Sequence, residues 1–317
     1  MLIEGRTMDS FDPASMDSAV RGTSLDHTLL GRGRFLGHLL TVQLNGQRLN
    51  HGRYNLPLHA RGSMPADSVT LGFILGGTGA STLNAEVVEY PMPALLGAAA
   101  ELDYRLAPGS EWLSLQVPPA ALEPLGLVPE HFAGHRLAPR SARTDRVKAN
   151  LQQAVIALGE LARDDPNIVA PHNYAEKVLA GVFDDLITVL QPERKLMLRH
   201  PSGPQDNKRL VRRAINHMQA HYGGTLQIGL MAATLGTSVK TLERAFLKVH
   251  GIRPKHYLSA LRLTKARRQL LCSPRTGQSV AVIATSCGIQ HLGRFAQLYR
   301  ATYGELPSET VKARHRG

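Results

Sequence analysis

Cysteine is scarce in this chain, which has only Cys272 and Cys287 among its 317 residues. They lie 15 positions apart, with no C-x-x-C pair and no histidine pair around them. Zinc fingers and disulfide-stapled folds need more cysteines at closer spacings, so this pattern argues against both classes. We expect both cysteines to be small buried residues.

Long apolar runs are missing as well. Every apolar stretch is broken well before the roughly 20 residues needed to span a bilayer. The N-terminal segment carries acidic residues and lacks the apolar run of a signal peptide, so we expect a cytoplasmic protein with no membrane segment. Because 317 residues exceed one comfortable core, two domains are expected.

Acidic residues are rare in the last third of the chain. From residue 205 onward there are 19 Lys and Arg against 4 Asp and Glu, whereas the first 204 residues hold 18 against 21. The whole formal charge of +12 therefore arises in the last third. Such a local excess attracts polyanions, most often nucleic acid. A solvated basic face without a partner has the same composition, so the pattern of residues must decide.

Short strands are predicted over residues 34–128. Asn45 and Gly46 separate two alternating segments, and both residue types tolerate the positive φ of a hairpin turn. Similar strand pairs are predicted around the glycines of "ILGGTGAST" and around Pro108 and Gly109. We expect a compact antiparallel β unit. Residues 1–33, rich in Ser, Asp, Thr and Gly without periodicity, are expected to be disordered.

Helical spacing takes over at residues 144–198. In residues 172–198 the apolar side chains fall at steps of three and four and form one wide stripe. That stripe could pair with its copy in a second subunit or pack on its own β unit. The segment "RHPSGPQDN", residues 199–207, has two prolines and a glycine among polar residues and is predicted to be a linker.

A repeat lies in the basic third. Four residues recur at an offset of 52 and four more at an offset of 53: Met231, Ala232, Thr234 and Gly236 as Ile283, Ala284, Ser286 and Gly288, then Leu242, Phe246, Gly251 and Pro254 as Phe295, Tyr299, Gly304 and Pro307. A helix, a glycine turn and a second helix, with alanine where the helices cross, form a helix-turn-helix motif. Two matches in register are a much stronger signal than one.

The second helix of the first motif is predicted to read DNA. Its inward stripe is Leu242, Ala245, Phe246 and Val249. A helix in the major groove presents the outward side chains of its N-terminal turns to base edges. The candidate base-reading residues are Lys240, Glu243 and Arg244, and the candidate phosphate contacts are Ser238, Thr241, Lys248 and, from the second motif, Arg300.

The second motif offers fewer hydrogen-bonding groups. Its candidate base-reading residues are Gln290, His291, Arg294, Ala296 and Gln297, and Ala296 could touch a thymine methyl group. We therefore expect it to read sequence less stringently. Between the motifs, "RPKHYLSALRLTKARRQLL" predicts a continuous helix that spaces them for successive major grooves, roughly 34 Å apart.

These segments resemble the AraC/XylS family of bacterial transcription regulators. The resemblance rests on "LMAATLGTSVKTLERAF", "GIRPKHYLSALRLTKARRQLL" and "VAVIATSCGIQHLGRFAQLYRATYGELPSE", in that order, over about residues 206–310. Gln227 and Gly229 depart from the family pattern, being a poor N-cap and a poor helix former, and Gly293 within the second reading helix is a similar departure.

The resemblance implies an α+β protein. An N-terminal antiparallel, cupin-like β unit with trailing helices would form a sensing and dimerisation domain over residues 34–198. Residues 208–317 would be an all-α DNA-binding domain with two helix-turn-helix motifs joined by a long helix. The implied partners are double-stranded DNA, RNA polymerase, a small-molecule effector and a second copy bound through residues 172–198. The implied function is that of a transcriptional activator in the bacterial cytoplasm, associated with the nucleoid and without a cofactor.

Two other classes remain as alternatives. A nucleotide-binding or small-molecule-binding enzyme could use the glycines of "ILGGTGAST", but the third glycine of G-x-G-x-x-G is absent and a hairpin turn explains them better. His38, His51 and His59 lack the close spacing of a metal-binding site, so neither metal ligands nor catalytic residues are predicted. A sequence-neutral architectural DNA binder would explain the charge but not the paired motifs.

Overall fold

The computed structural model describes residues 1–313 except 18, 21, 85, 126–134, 138–139, 164–171 and 191–204. Contacts divide the chain into two compact units. Unit 1 comprises Met1–Asp9, Asp17–Asp26 and Leu36–Leu198. Unit 2 comprises Ser10–Met16, His27–Phe35 and Arg199–Gly317. The chain thus contributes two N-terminal pieces to the unit that holds its basic third.

Two antiparallel sheets contain the described strands. The seven-stranded sheet has the order β1-β3-β4-β11-β6-β9-β12 and the five-stranded sheet the order β2-β5-β10-β7-β8. The strands are β1 Leu2–Met8, β2 Ser24–Leu29, β3 Gly37–Leu44, β4 Gln47–Tyr54, β5 Leu58–Ser63, β6 Val69–Gly76, β7 Ser81–Leu83, β8 Glu86–Val88, β9 Met92–Leu96, β10 Glu101–Leu106, β11 Ser110–Val117 and β12 His135–Leu137.

One of the three predicted strand pairs is a hairpin. Asn45 and Gly46, with φ of 49° and 76°, form the turn between β3 and β4, where Leu44 pairs with Gln47. The other two predicted pairs are wrong, because β6 and β7 lie in different sheets, as do β10 and β11. Alternation identifies each strand, but the loops at residues 77–80 and 107–109 carry the chain from one sheet to the other.

The described residues among the first 33 are structured, so the predicted disorder is wrong for them. Strand β1 pairs with β3 along its whole length, from Leu2 opposite Gln43 to Met8 opposite Gly37. A short helix, α1, follows at Pro13–Asp17 with Met16 buried. The polar composition misled the prediction because few apolar residues suffice where the backbone is held by an existing strand.

Two helices cover one face of the seven-stranded sheet, α2 at Ala142–Arg163 and α3 at His172–Leu190. The predicted apolar stripe of α3 joins a core formed by side chains of the sheet and α2. Of the two alternatives for that stripe, the structure shows packing within unit 1. The remainder of the predicted segment, residues 191–198, lies outside the described residues.

Two of the three isolated histidines, His51 and His59, bond to carboxylates. Buried His51 contacts the Glu111 carboxylate at 3.0 Å, and Gln152 of α2 donates to the same carboxylate at 3.1 Å. The hydrogen bond to His51 is the main cause that holds the pKa of Glu111 below its ordinary value. Buried His59 contacts Asp103 at 2.9 Å. These contacts fix strands to one another and, for His51, the sheet to α2.

The described residues in the C-terminal part of unit 2 form seven helices. They are α4 Gln205–His221, α5 Ile228–Thr234, α6 Val239–His250, α7 Pro254–Thr276, α8 Val280–Ser286, α9 Leu292–Tyr303 and α10 Pro307–Ala313. Most of the predicted linker, residues 199–204, lies outside the described residues, and residues 205–207 open α4 instead. The α+β class, with an antiparallel β unit followed by helices and an all-α C-terminal region, is confirmed.

Candidate nucleic-acid interface

The first helix-turn-helix motif consists of α5 and α6. Gly236 in the turn between them has φ of 69°, a conformation that favours glycine. Buried Ala232 lies in the core cluster with Leu242, Ala245 and Phe246 of α6. The predicted inward stripe of α6 is therefore confirmed, with Val249 at its partly buried edge.

Helix α6 is capped at both ends. The Ser238 hydroxyl accepts a hydrogen bond from the Thr241 backbone N–H at 3.1 Å and donates to the Thr241 hydroxyl at 2.9 Å. At the other end, Gly251 adopts φ of 67° and its N–H donates to the Leu247 carbonyl. These caps satisfy backbone groups that a short helix otherwise leaves without partners.

The candidate contact residues of the first motif lie on the outer side of α6. Lys240, Arg244 and Lys248 are exposed, and Glu243 and Thr241 are half-buried. The opposite side of the helix is buried. The first two turns therefore present polar side chains on a helix whose orientation is set by its apolar side.

The second motif, α8 and α9, repeats this backbone plan. Gly288 in its turn has φ of 73° and lies so close to the end of α4 that a Cβ there would stand 2.3 Å from the Tyr222 carbonyl oxygen. Gly304 ends α9 with φ of 81°, as Gly251 ends α6. The start differs, because the N-cap residue His291 makes no side-chain cap hydrogen bond.

The candidate contact residues of the second motif are also on the outside. Gln290, His291, Arg294, Gln297 and Arg300 are exposed, and Ala296 is half-buried. Gly293 is exposed, with no atom within 4 Å of the place a Cβ would take. The inner side of α9 buries Phe295, Tyr299 and Thr302.

The spacer helix α7 joins the motifs through two arginines that sequence analysis missed. Arg262 donates from Nε to the Tyr222 carbonyl at 2.9 Å and from Nη2 to the Gly224 carbonyl at 2.8 Å. Burial lowers the pKa of this arginine. Arg262 thus fixes the end of α4, against which the Gly288 turn packs, to the spacer.

Arg267 is the second such residue, and its side chain is 2% exposed. Its Nη1 donates to the Tyr299 hydroxyl at 2.9 Å and to the Glu305 carboxylate at 2.8 Å. Its guanidinium carbon lies 4.5 Å from the centre of the Tyr303 ring. Burial opposes the charge, but the neighbouring Tyr299, Glu305 and Tyr303 outweigh it and raise the pKa of Arg267.

A sequence signal for Arg267 exists. Leu263, Ala266 and Leu270 form a buried stripe on α7, and Arg267 falls within that stripe. A cation at such a position needs hydrogen-bond acceptors around it. No local pattern indicates that Tyr299 and Glu305 supply them.

Two of the acidic residues in the basic third bond to groups within the same unit. Glu305 binds Arg267, and Glu309 accepts the Leu306 N–H at 2.6 Å. The exposed arginines and lysines of α6 and α9 have no matching set of exposed acids on those helices, since Glu243 is the only acidic residue in either. The outer surfaces of α6 and α9 are therefore positive.

Other sites are not indicated. Within the described ranges there is no group of three or more His, Cys, Asp and Glu side chains that could hold a metal ion. The glycine segment after β6 is followed by strand β7, whereas a dinucleotide loop opens a helix. In the same described part of the chain, no helix is both long enough and apolar enough to cross a bilayer.

Two helix-turn-helix motifs on one spacer helix, with exposed basic second helices, define a DNA-binding domain. Residues 231–313 match the helix-turn-helix domain family. The chain is 29% identical over 150 residues to a probable thc operon regulatory protein of Rhodococcus erythropolis, covering 47% of this chain and 45% of that protein. It is 31% identical over 100 residues to a XylDLEGF operon transcriptional activator of Pseudomonas putida, covering 32% and 31%.

A solved structure is similar in sequence over the same region. It is a probable AraC family transcriptional regulator of Rhodopseudomonas palustris, 32% identical, covering 33% of this chain and 97% of that one, with a TM-score of 0.32. This chain spans less than half the length of the two curated relatives. Through its C-terminal domain, the chain belongs to the AraC/XylS family of DNA-binding regulators.

Proposed function

We propose that this protein is a sequence-specific DNA-binding transcription regulator that places α6 and α9 in two successive major grooves. One observation carries the proposal. Both motifs leave the polar side chains of their second helix exposed at its start, while α7 and the contacts of Arg262 fix the motifs on one framework. A rigid pair of motifs suits a site with two half-sites on one face of the duplex.

In the first motif, Lys240, Glu243 and Arg244 read base edges. Arginine and lysine donate to the guanine O6 and N7 atoms, and glutamate accepts from the cytosine amino group. In the second motif the readers are Gln290, His291, Arg294, Ala296 and Gln297. With Gly293 and Ala296 among its outward positions, α9 has fewer polar groups and reads sequence less stringently.

Phosphate contacts come from the edges of the two helices. Lys248 and Arg300 supply positive charge beside the reading turns. Ser238 and Thr241 stand at the start of α6, where the positive end of the helix dipole favours a phosphate. The Ser238 hydroxyl donates to the Thr241 hydroxyl, which keeps its own hydrogen for a phosphate, and this contact also orders the helix end and its backbone N–H groups.

The regulator is proposed to act as an activator that contacts RNA polymerase, in the bacterial cytoplasm and on the nucleoid. Support comes from the relatives of this chain, several of which are named as transcriptional activators. Unit 1 would supply control by a small-molecule effector. A homodimer through residues 172–198 would use the outer face of α3, where Tyr174 is exposed, because the apolar stripe is buried in unit 1.

The test compares Arg244→Ala with Lys248→Ala in the full chain. Both positions are exposed on α6, and both changes remove one positive charge. Arg244→Ala is expected to relax discrimination at one or two base pairs of the site selected by the wild type, by about 1 to 3 kcal/mol. Lys248→Ala should weaken binding to all sequences alike and reduce the salt dependence by about one phosphate contact.

The two duplexes needed are the selected site and an unrelated sequence of equal length, titrated at several salt concentrations. Equal effects of both substitutions on both duplexes would contradict the role of α6 as a reader. That result would favour a sequence-neutral DNA binder instead.

A further inference from the structure

Two N-terminal segments belong to the DNA-binding unit although they lie about 200 residues upstream of it in sequence. They are Ser10–Met16 and His27–Phe35, here called the N-terminal clasp. Phe11 and Phe35 are 1% and 2% exposed, and their rings meet edge to face at 5.4 Å. The clasp therefore contributes apolar side chains to the interior of unit 2.

The clasp contacts the C-terminal end of α9 at two points. The Phe11 ring stacks on the Tyr303 ring at 6.4 Å. The Gly33 N–H donates to the Ala301 carbonyl at 3.0 Å. Ala301 is within the last turn of α9, whose carbonyls have no partner inside the helix. Residue 33 thus caps the second reading helix from a distant part of the chain.

Arg267 connects the clasp to the rest of the unit. Its Nε donates to the Phe11 carbonyl, while Nη1 binds Tyr299 of α9 and Glu305 beyond it. The Tyr299 hydroxyl also bonds to Thr310 of α10 at 2.9 Å. The buried guanidinium therefore has the clasp carbonyl among its acceptors, and loss of that acceptor would leave a buried donor without a partner.

The geometry at Gly33 is specific. Its φ of 107° lies in the region that favours glycine, and no atom lies within 4 Å of the place a Cβ would take. Glycine is needed there for conformation rather than for space. That conformation aims the N–H at the end of α9.

The reading end of α9 lies at the other end of the same 12-residue helix. Because its N-terminus lacks a side-chain cap and Gly293 weakens its first turn, α9 depends on the contacts along its inner face and at its C-terminal end. The clasp also reaches the first motif, where Leu30 packs against its core, but α6 starts at the Ser238 cap, whereas α9 starts without a side-chain cap.

We infer that the N-terminal clasp is a positioning element for the second reading helix, with Phe11 and the Gly33 N–H holding α9 in the orientation that reads its half-site. The inference rests on the proposed function. Phe11 is buried and is not proposed to touch a DNA base. It acts through Tyr303, Arg267 and the helix that they hold.

The experiment uses the full chain, the bipartite duplex that wild type selects from a random pool, and two derivatives with either half-site scrambled. Fluorescence anisotropy at fixed salt gives the discrimination at each half-site. For each half-site, discrimination is the ratio of the affinities for the intact duplex and for the duplex in which that half-site is scrambled. Phe11→Ala is expected to lower this ratio about tenfold at the half-site of α9, which is roughly the contribution of one base pair. The ratio at the half-site of α6 should stay unchanged. Ser10→Ala, at the exposed neighbouring position, is the matched control and should resemble wild type.

The half-site of α6 reports folding within the same molecule. If Phe11→Ala unfolds the protein, Phe11→Leu keeps an apolar side chain but loses the ring stack and decides the question in the same assay. No change at either half-site, or equal loss at both, would overturn the inference. Absence of any half-site discrimination in wild type would instead count against the proposed function.

Discussion

The two helix-turn-helix motifs share a backbone plan but differ in what holds their second helix. Helix α6 begins at a serine cap and packs into a core formed with α4, α5 and α7, against which Leu30 of the N-terminal clasp also packs. Helix α9 begins at His291 without a side-chain cap, and at its other end it meets Arg267 and the N-terminal clasp. A repeated sequence can thus conserve the shape of a motif while its support comes from different parts of the chain.

The same contrast appears in the turns. Gly236 and Gly288 occupy equivalent positions with φ of 69° and 73°. No atom lies within 4 Å of a Cβ built at Gly236, whereas one at Gly288 would meet the end of α4. The first turn needs glycine for conformation alone, and the second needs it for conformation and for space.

The largest expected effect is the loss of stability when the Arg267 contacts that hold the second motif are removed. Arg267→Met removes the buried cation and its hydrogen bonds to Tyr299, Glu305 and the Phe11 carbonyl. We expect a loss of roughly 3 kcal/mol in the free energy of unfolding, the low end for breaking a buried ion pair because Glu305 is a third exposed. Urea unfolding followed by circular dichroism measures it.

Lys255→Met is the control for that change, since Lys255 is exposed on the same helix. It should change stability by less than about 0.5 kcal/mol. Similar losses for both variants would mean that the Arg267 cluster contributes nothing specific.

The next largest expected effect is the loss of stability when either turn glycine, Gly236 or Gly288, is replaced by alanine. Gly236→Ala should cost about 1 to 2 kcal/mol, the strain of placing alanine in the left-handed region. Gly288→Ala carries the same strain and in addition must displace the Tyr222 carbonyl, so it should cost about 1 kcal/mol more. The two variants are compared by urea unfolding under one set of conditions, and equal costs would show that the close approach at Gly288 is unimportant.

The smallest effect concerns the helix starts. Ser238→Ala should destabilise the protein by about 1 kcal/mol through loss of the α6 cap, and His291→Ser should stabilise it by up to about 1 kcal/mol by giving α9 the cap that it lacks. Thermal unfolding without DNA reports both. A stabilising Ser238→Ala would contradict the stated difference between the motifs.

The basic third could be predicted in detail because its signals are local. The repeat offsets anticipate both turn glycines and both C-terminal glycines, and the stripe of α6 is buried as expected. The spacer is one helix as expected, and its residues Tyr257, Leu258, Leu261, Ala266 and Leu270 are buried. Helical periodicity in the sequence reveals apolar residues three and four positions apart, and these elements depend on contacts between such residues.

The remainder depends on distant contacts. The strands of unit 1 are visible as alternation, but sheet membership is decided by partners far along the chain, so two of the three predicted pairs are wrong. The contacts of the clasp could not be predicted from local sequence patterns, because Phe11 and Arg267 are 256 positions apart. Composition alone indicated disorder for residues that the two units hold in place.

The most direct test of the central claim is selection of duplexes from a random pool by the full chain near physiological salt. The full chain is required because a fragment starting at Gln205 lacks the clasp. We expect enrichment of one bipartite sequence with half-sites about one helical turn apart, roughly 34 Å. Binding without enrichment of any sequence would contradict the proposed function, because α6 and α9 would then contact DNA without recognising its bases.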